Sequence, residues 1–166
     1  MTISLNARLD EQVALIQGAQ DLILTTTVGD TKYVSMKGYR KCCIIIDIAD
    51  GTAVTGSTIT LKQATAVAGT GEKALTFTRM LANIDMATSQ VMTETAVVSS
   101  TFTTDTTASK NKRYIIDVDG DSLDSAGGFD CIRVDGTGHA TTASRGVPVI
   151  YILYGTRYSG FSPVAD

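Results

Sequence analysis

Tryptophan is absent from this sequence, histidine occurs once and proline twice. With a single histidine, His139, a Ser-His-Asp or Cys-His arrangement has only one possible base. That base lies in a polar stretch, TGHATTASRG, and no G-x-S-x-G elbow accompanies it. Histidine-based zinc sites are short of ligands for the same reason. The three cysteines, Cys42, Cys43 and Cys131, are odd in number and two are adjacent, which is no disulfide framework. On a strand, neighbours 42 and 43 point to opposite faces and cannot share a metal, so all three read as packing residues.

Charge is also scarce. Charged residues make up 19% of the chain, below the usual level of about a quarter, as suits a surface that becomes partly covered in an assembly. The net charge of −3 leaves no basic excess to neutralise a phosphate backbone, so nucleic acid is not an expected partner, and it argues against an anionic membrane. No apolar run approaches the roughly 18 residues of a membrane span. The opening MTISLNARLDEQ lacks a basic region followed by an apolar core, so it does not read as a signal peptide, and synthesis in a cytoplasm is expected.

What is abundant is threonine, with valine, isoleucine and glycine. β-Branched residues pack well on a pleated surface, and glycine clusters mark turns. With 166 residues the chain suits one domain able to bury a core without staples. Residues 1–20 stand apart: in NARLDEQVALIQGAQ, Leu9, Val13 and Ile16 recur at helical spacing, with Asn6 or Asp10 as a cap and Gly18 as a stop. The expectation is a short amphipathic helix or an arm that orders on a partner, an attachment element rather than part of a sheet.

Strand signals begin near residue 21. DLILTTTV, TKYVSM, STITLKQAT, KALTFTRM, KRYIIDVDG, FDCIRVDGTG and VPVIYILYGTRY read as strands, and VMTETAVVSSTFTT as one long strand or a pair. YRKCCIIIDIA is nearly continuous in apolar residues and predicts a strand buried on both faces. AVAGTGEK and DSLDSAGG read as turns. Eight to ten short strands without helical periods between them predict an all-β fold, a single-domain antiparallel β-sandwich of jelly-roll type. Its expected parts are an N-terminal arm or short helix over 1–20, the sandwich over 21–158 and a C-terminal tail over 159–166.

Two patterns invite chemistry. Asp117, Asp119, Asp121 and Asp124 alternate as in a calcium loop, but Gly120 falls one residue too early for an EF-hand and position twelve is Gly128. The cluster reads better as a strand edge entering a turn, with Asp121 or Ser122 capping a helical turn at Leu123. VAGTGEKAL displaces the lysine of a phosphate-binding loop and is followed by a strand, so it too reads as a turn. No catalytic residue, metal ligand or cofactor is expected.

Three stretches resemble a recurring segment of small virion proteins of tailed bacteriophages: TITLKQATAVAGTGEKALTF, RYIIDVDGDSLDSAGGFDCIRV and YILYGTRYSGFSP, together about a third of the chain. The resemblance implies a head decoration (cement) protein or a related virion component, with Gly69, Gly71, Gly127, Gly128, Arg157 and Tyr158 structurally important. The expected role is non-enzymatic, on the outer surface of the capsid, with the major capsid protein and further copies of the chain as partners. A homotrimer would match the three-fold positions of an icosahedral shell. Ile3, Leu5, Leu9, Val13 and Ile16 in the arm, and Arg157 and Tyr158 past the last strand, are the expected interface residues. Two alternatives stand beside this. A tail component (tube, terminator or fibre-associated) would form six-fold rings. A carbohydrate-binding module would need a groove of exposed aromatics, and aromatics are 6% of the chain.

Overall fold

The computed structural model describes residues 12–19, 29–49, 56–107, 109–137 and 148–157. The predicted strand DLILTTTV, His139, Tyr158 and the arm residues Ile3, Leu5 and Leu9 lie outside them. The described chain forms an antiparallel β-sandwich. Sheet 1 contains β1 (Val13–Ala19), β12 (Val149–Thr156), β4 (Tyr39–Ala49), β10 (Asn111–Asp119), β7 (Phe77–Asn83) and β8 (Thr93–Ser99), in that spatial order. Sheet 2 is centred on β11 (Cys131–Thr137) and β5 (Thr58–Ala64). The short strands β2 (Gly29–Asp30) and β3 (Val34–Ser35) pair with β11, and β6 (Lys73–Ala74) and β9 (Thr101–Thr103) pair with β5. Every pairing is antiparallel, and the repeated crossing of consecutive strands between sheets is compatible with a jelly roll.

Period-two alternation builds the core. From sheet 1, Ile44, Ile46, Tyr114, Ile116, Tyr151 and Leu153 point inward; from sheet 2, Ile59, Leu61, Ile132 and Val134 meet them, all at 2% exposure or less. Each such side chain contributes roughly 1.5–3 kcal/mol by leaving water. Phe102 links Phe77 (ring centroids 6.2 Å apart, edge-to-face) and Tyr114 (5.1 Å) at one end of this core.

Residues 13–19 depart from the expected helix. They form β1, paired antiparallel with β12 from Val13 opposite Tyr154 to Ala19 opposite Val149. The reason is tertiary: without β1 the edge of β12 would stand bare, and sheet pairing supplies every other residue of the segment with backbone partners, which outweighs a modest helix propensity. Ala14 packs against the core. Gly18, which the sequence suggests as a helix stop, instead lets the ring of Tyr151 lie against the backbone. A Cβ there would stand 2.2 Å from Tyr151 Cε2.

Candidate protein-docking face

The outward side of sheet 1 is where the sequence pattern and the layer structure part company. β4 is expected to be buried on both faces. Its inward residues Cys42, Ile44, Ile46 and Ile48 are buried, whereas its outward residues Cys43, Ile45, Asp47 and Ala49 are only half-buried. Among the described residues no third layer covers that side. The same holds for its neighbours. Ile45 lies between Ile150 of β12 and Ile115 of β10, and Ile115 lies opposite Leu81 of β7. This apolar row crosses four strands, about 15 Å at the usual strand spacing. One step along, Cys43 lies opposite Ile152, which lies opposite Leu15 of β1. Leu15 is 70% exposed and the others are half-buried.

A polar rim surrounds the stripe. Arg113 grips Asp47 with two parallel hydrogen bonds, Nε to Oδ1 at 2.6 Å and Nη2 to Oδ2 at 2.7 Å. At the other end the Tyr154 hydroxyl donates to Asp117 at 3.4 Å, and Lys41 pairs with Asp119 at 3.4 Å. Burial and the adjacent Asp117 push the Tyr154 phenol up to about 12, so it stays a donor. The same causes push the Cys43 thiol up to about 11, and it belongs to the stripe as a protonated apolar group. Cys42 and Cys131 are free and buried, and burial raises both thiols. An apolar centre with a hydrogen-bonded polar rim is the anatomy of a protein interface.

The outward side of sheet 2 is built differently. Lys62 bridges Glu72 and Asp135, both at 2.8 Å, and Arg133 contacts Glu72 at 2.9 Å and Asp135 at 2.6 Å. Tyr33 donates to Glu72 at 2.9 Å while its ring carries the Arg133 guanidinium 4.7 Å above it. These charges pair with one another within the chain. Among the described residues the contrast singles out sheet 1 as the face with unmet apolar area.

The expected interface residues are only partly brought together. Val13 and Ile16 lie in β1 at the edge of sheet 1. Arg157 lies outside the stripe and works as a latch. Its backbone N–H donates to Gly38 O at 2.9 Å, its Nε donates to Tyr39 O at 2.7 Å, and its guanidinium lies over Gly120, where a Cβ would be 2.3 Å from Nη2. The aspartates behave as turn formers. Asp119 accepts from Asp121 N at 3.1 Å and Asp124 from Gly127 N at 3.0 Å, each capping a single 3-10 turn, Gly120–Ser122 and Ser125–Gly127. The caps are thus Asp119 and Asp124 rather than Asp121 or Ser122. Among the described residues no group of three or more histidine, cysteine or acidic side chains is placed to hold a metal ion.

Sequence reasoning missed Ile45, Leu81, Ile115, Ile150 and Ile152. A signal was present: β4, β10 and β12 all carry unbroken apolar runs (CCIII, YII, VIYIL) where an antiparallel sheet covered on one side would alternate.

No family model matches the chain, and no curated protein matches it. Among solved structures it is similar to the SPBc2 prophage-derived protein YomS, at 12% identity and a TM-score of 0.48, over 86% of this chain and 93% of that one. It also matches a structure of Bacillus endospore appendages, described as disulfide-linked pili, at 12% identity and a TM-score of 0.28, over 92% of this chain and 97% of that one. A third match is to infectious bursal disease virus Gt strain, at 11% identity and a TM-score of 0.27, over 93% of this chain but 47% of that one. Likenesses this distant fix no function.

Proposed function

We propose that this chain is a non-enzymatic structural protein of a tailed-phage virion, a decoration protein that lays the outward face of sheet 1 on the major capsid protein and stabilises the shell. The observation that carries the reading is the contrast between the two outward faces: Ile45, Ile115, Ile150, Ile152 and Leu81 stay half-buried on one, with no further layer over them among the described residues, and a network of ion pairs lies across the other. Each half-buried isoleucine has roughly 1 kcal/mol still to gain on full burial. The resemblance of the three sequence stretches to phage virion proteins supplies the kind of partner. Six described aromatics, Tyr33, Tyr39, Phe77, Phe102, Tyr114 and Tyr151, are buried and so line no sugar-binding groove.

The test is co-purification with particles from cells that carry the gene. The wild-type chain should sediment with particles. Ile115→Asp, on the half-buried side of β10, should keep the strand spectrum and lose roughly 30-fold or more in binding, as for an interface hot spot of 2 kcal/mol or more. Unchanged binding of this variant would rule the face out as the docking surface. Immunogold at the tail instead of the head would move the assignment to a tail component.

A further inference from the structure

Sheet 1 ends in two strands that pair on one side only among the described residues: β1 with β12, and β8 with β7. Soluble proteins usually blunt such edges with lysine, proline, a bulge or a covering segment. Among the described residues neither edge has lysine, proline or a covering segment, and each has one irregularity of register, between Gln17 and Ala19 in β1 and between Ala96 and Ser99 in β8. β1 (VALIQGA) carries no charge, and β8 (TETAVVS) carries only Glu94. Along β8 the residues are mostly exposed, Val98 to 85%, and on β1 Leu15 is 70% exposed.

The geometry points to edge-to-edge assembly of copies, β8 of one chain pairing antiparallel with β1 of the next. Six strands in strict antiparallel order make the two edges run in opposite directions, so simple rotation about an axis along the strands brings β1 of the next copy beside β8 in antiparallel sense. Over the regular part of β8, before its irregularity between Ala96 and Ser99, one register matches both faces: Ala96 opposite Leu15 and Glu94 opposite Gln17 on the outward side, and Thr95 opposite Ile16 on the core side. Apolar side chains then meet apolar or small ones, and the one carboxylate meets an amide that can donate to it. The match favours the unlike edges, whose repetition joins copies head to tail. The edge contact is independent of the docking partner, since it involves only the chain and its own copies.

The test is the mass of the full chain in solution by light scattering, with Ala96→Lys, Leu15→Glu and the double variant. Both positions are exposed, and retained strand spectra and melting temperatures verify folding. The wild type should have a mass of at least three times 17.5 kDa. Each single variant should fall to monomer. The double variant should regain the wild-type mass, because the introduced ammonium of one copy then faces the introduced carboxylate of the next. A wild-type monomer or dimer overturns the inference. So does a Leu15→Glu variant that keeps its mass, which indicates pairing of like edges, or a double variant that stays monomeric.

Discussion

The Tyr151 hydroxyl, carried on β12 of sheet 1, crosses the core and accepts a hydrogen bond from the backbone N–H of Val134 in sheet 2, at 2.9 Å. Thr31 Oγ1 lies 2.6 Å from the same hydroxyl and 3.1 Å from the same N–H. The Val134 carbonyl accepts from Thr31 N at 3.1 Å, whereas its N–H finds side-chain oxygens between β2 and β3, and the two sheets are tied by a polar contact inside an apolar core. Burial pushes the Tyr151 phenol far up, so it stays neutral at any physiological pH.

Tyr151→Phe removes that tie and leaves Val134 with the longer bond to Thr31 alone. The expected cost is about 1–2 kcal/mol. Urea unfolding should show an earlier midpoint with an unchanged slope. An unshifted midpoint would mean that the inter-sheet bond adds nothing to stability.

Lys112 is fully buried on the inward side of β10, opposite Ile48. Its Nζ donates to the carbonyls of Asp105 and Thr107, both at 2.7 Å, and lies 3.6 Å from Asp105 Oδ1. The ammonium holds the 104–107 segment over the end of the core. Lys112→Met keeps the volume but strips those carbonyls of their donor, and should cost about 2–3 kcal/mol in the same urea assay. Wild-type stability in this variant would contradict the latch.

Glu72 links pH to stability. Hydrogen bonds from Lys62 and then Tyr33 hold its carboxyl below the usual carboxylate range. Its pKa is depressed in the folded state. Its contribution is therefore present above the unfolded value of about 4.3, and it is lost as pH falls through the folded value. Melting temperatures should fall on acidification below about pH 4.3. Glu72→Gln should make that acid limb shallower while leaving the curve flat near neutrality. An identical acid limb in the variant would show that the network on sheet 2 does not couple to folding.

Much of the sheet architecture is legible in the sequence. YRKCCIIIDIA coincides with β4, and KRYIIDVDG and FDCIRVDGTG locate β10 and β11 to within a few residues. Where one apparent strand is two, the cause lies beyond local pattern: KALTFTRM divides into β6 and β7 because the chain passes from sheet 2 to sheet 1 after Leu75. VMTETAVVSSTFTT, which reads as one long strand or a pair, is a pair, β8 and β9, because the chain passes back at Ser100. Alternation continues through such crossings, so periodicity does not mark them. β1 was hidden because Leu9, Val13 and Ile16 fit a helical stripe, and only the bare edge of β12 decides the matter. The docking face was half legible: the run of isoleucines in β4 announces apolar area on both sides, but which side another layer covers is a tertiary fact.

In its working assembly the protein should have the outward face of sheet 1 covered. Hydroxyl-radical footprinting, read by mass spectrometry on the isolated chain and on purified particles that contain it, tests this most directly. Strong protection of Ile45, Leu81, Ile115, Ile150 and Ile152 is expected in particles, with Tyr33 and its neighbours on sheet 2 unchanged. Equal labelling of those five residues in both samples, or protection confined to sheet 2, would contradict a covered sheet 1.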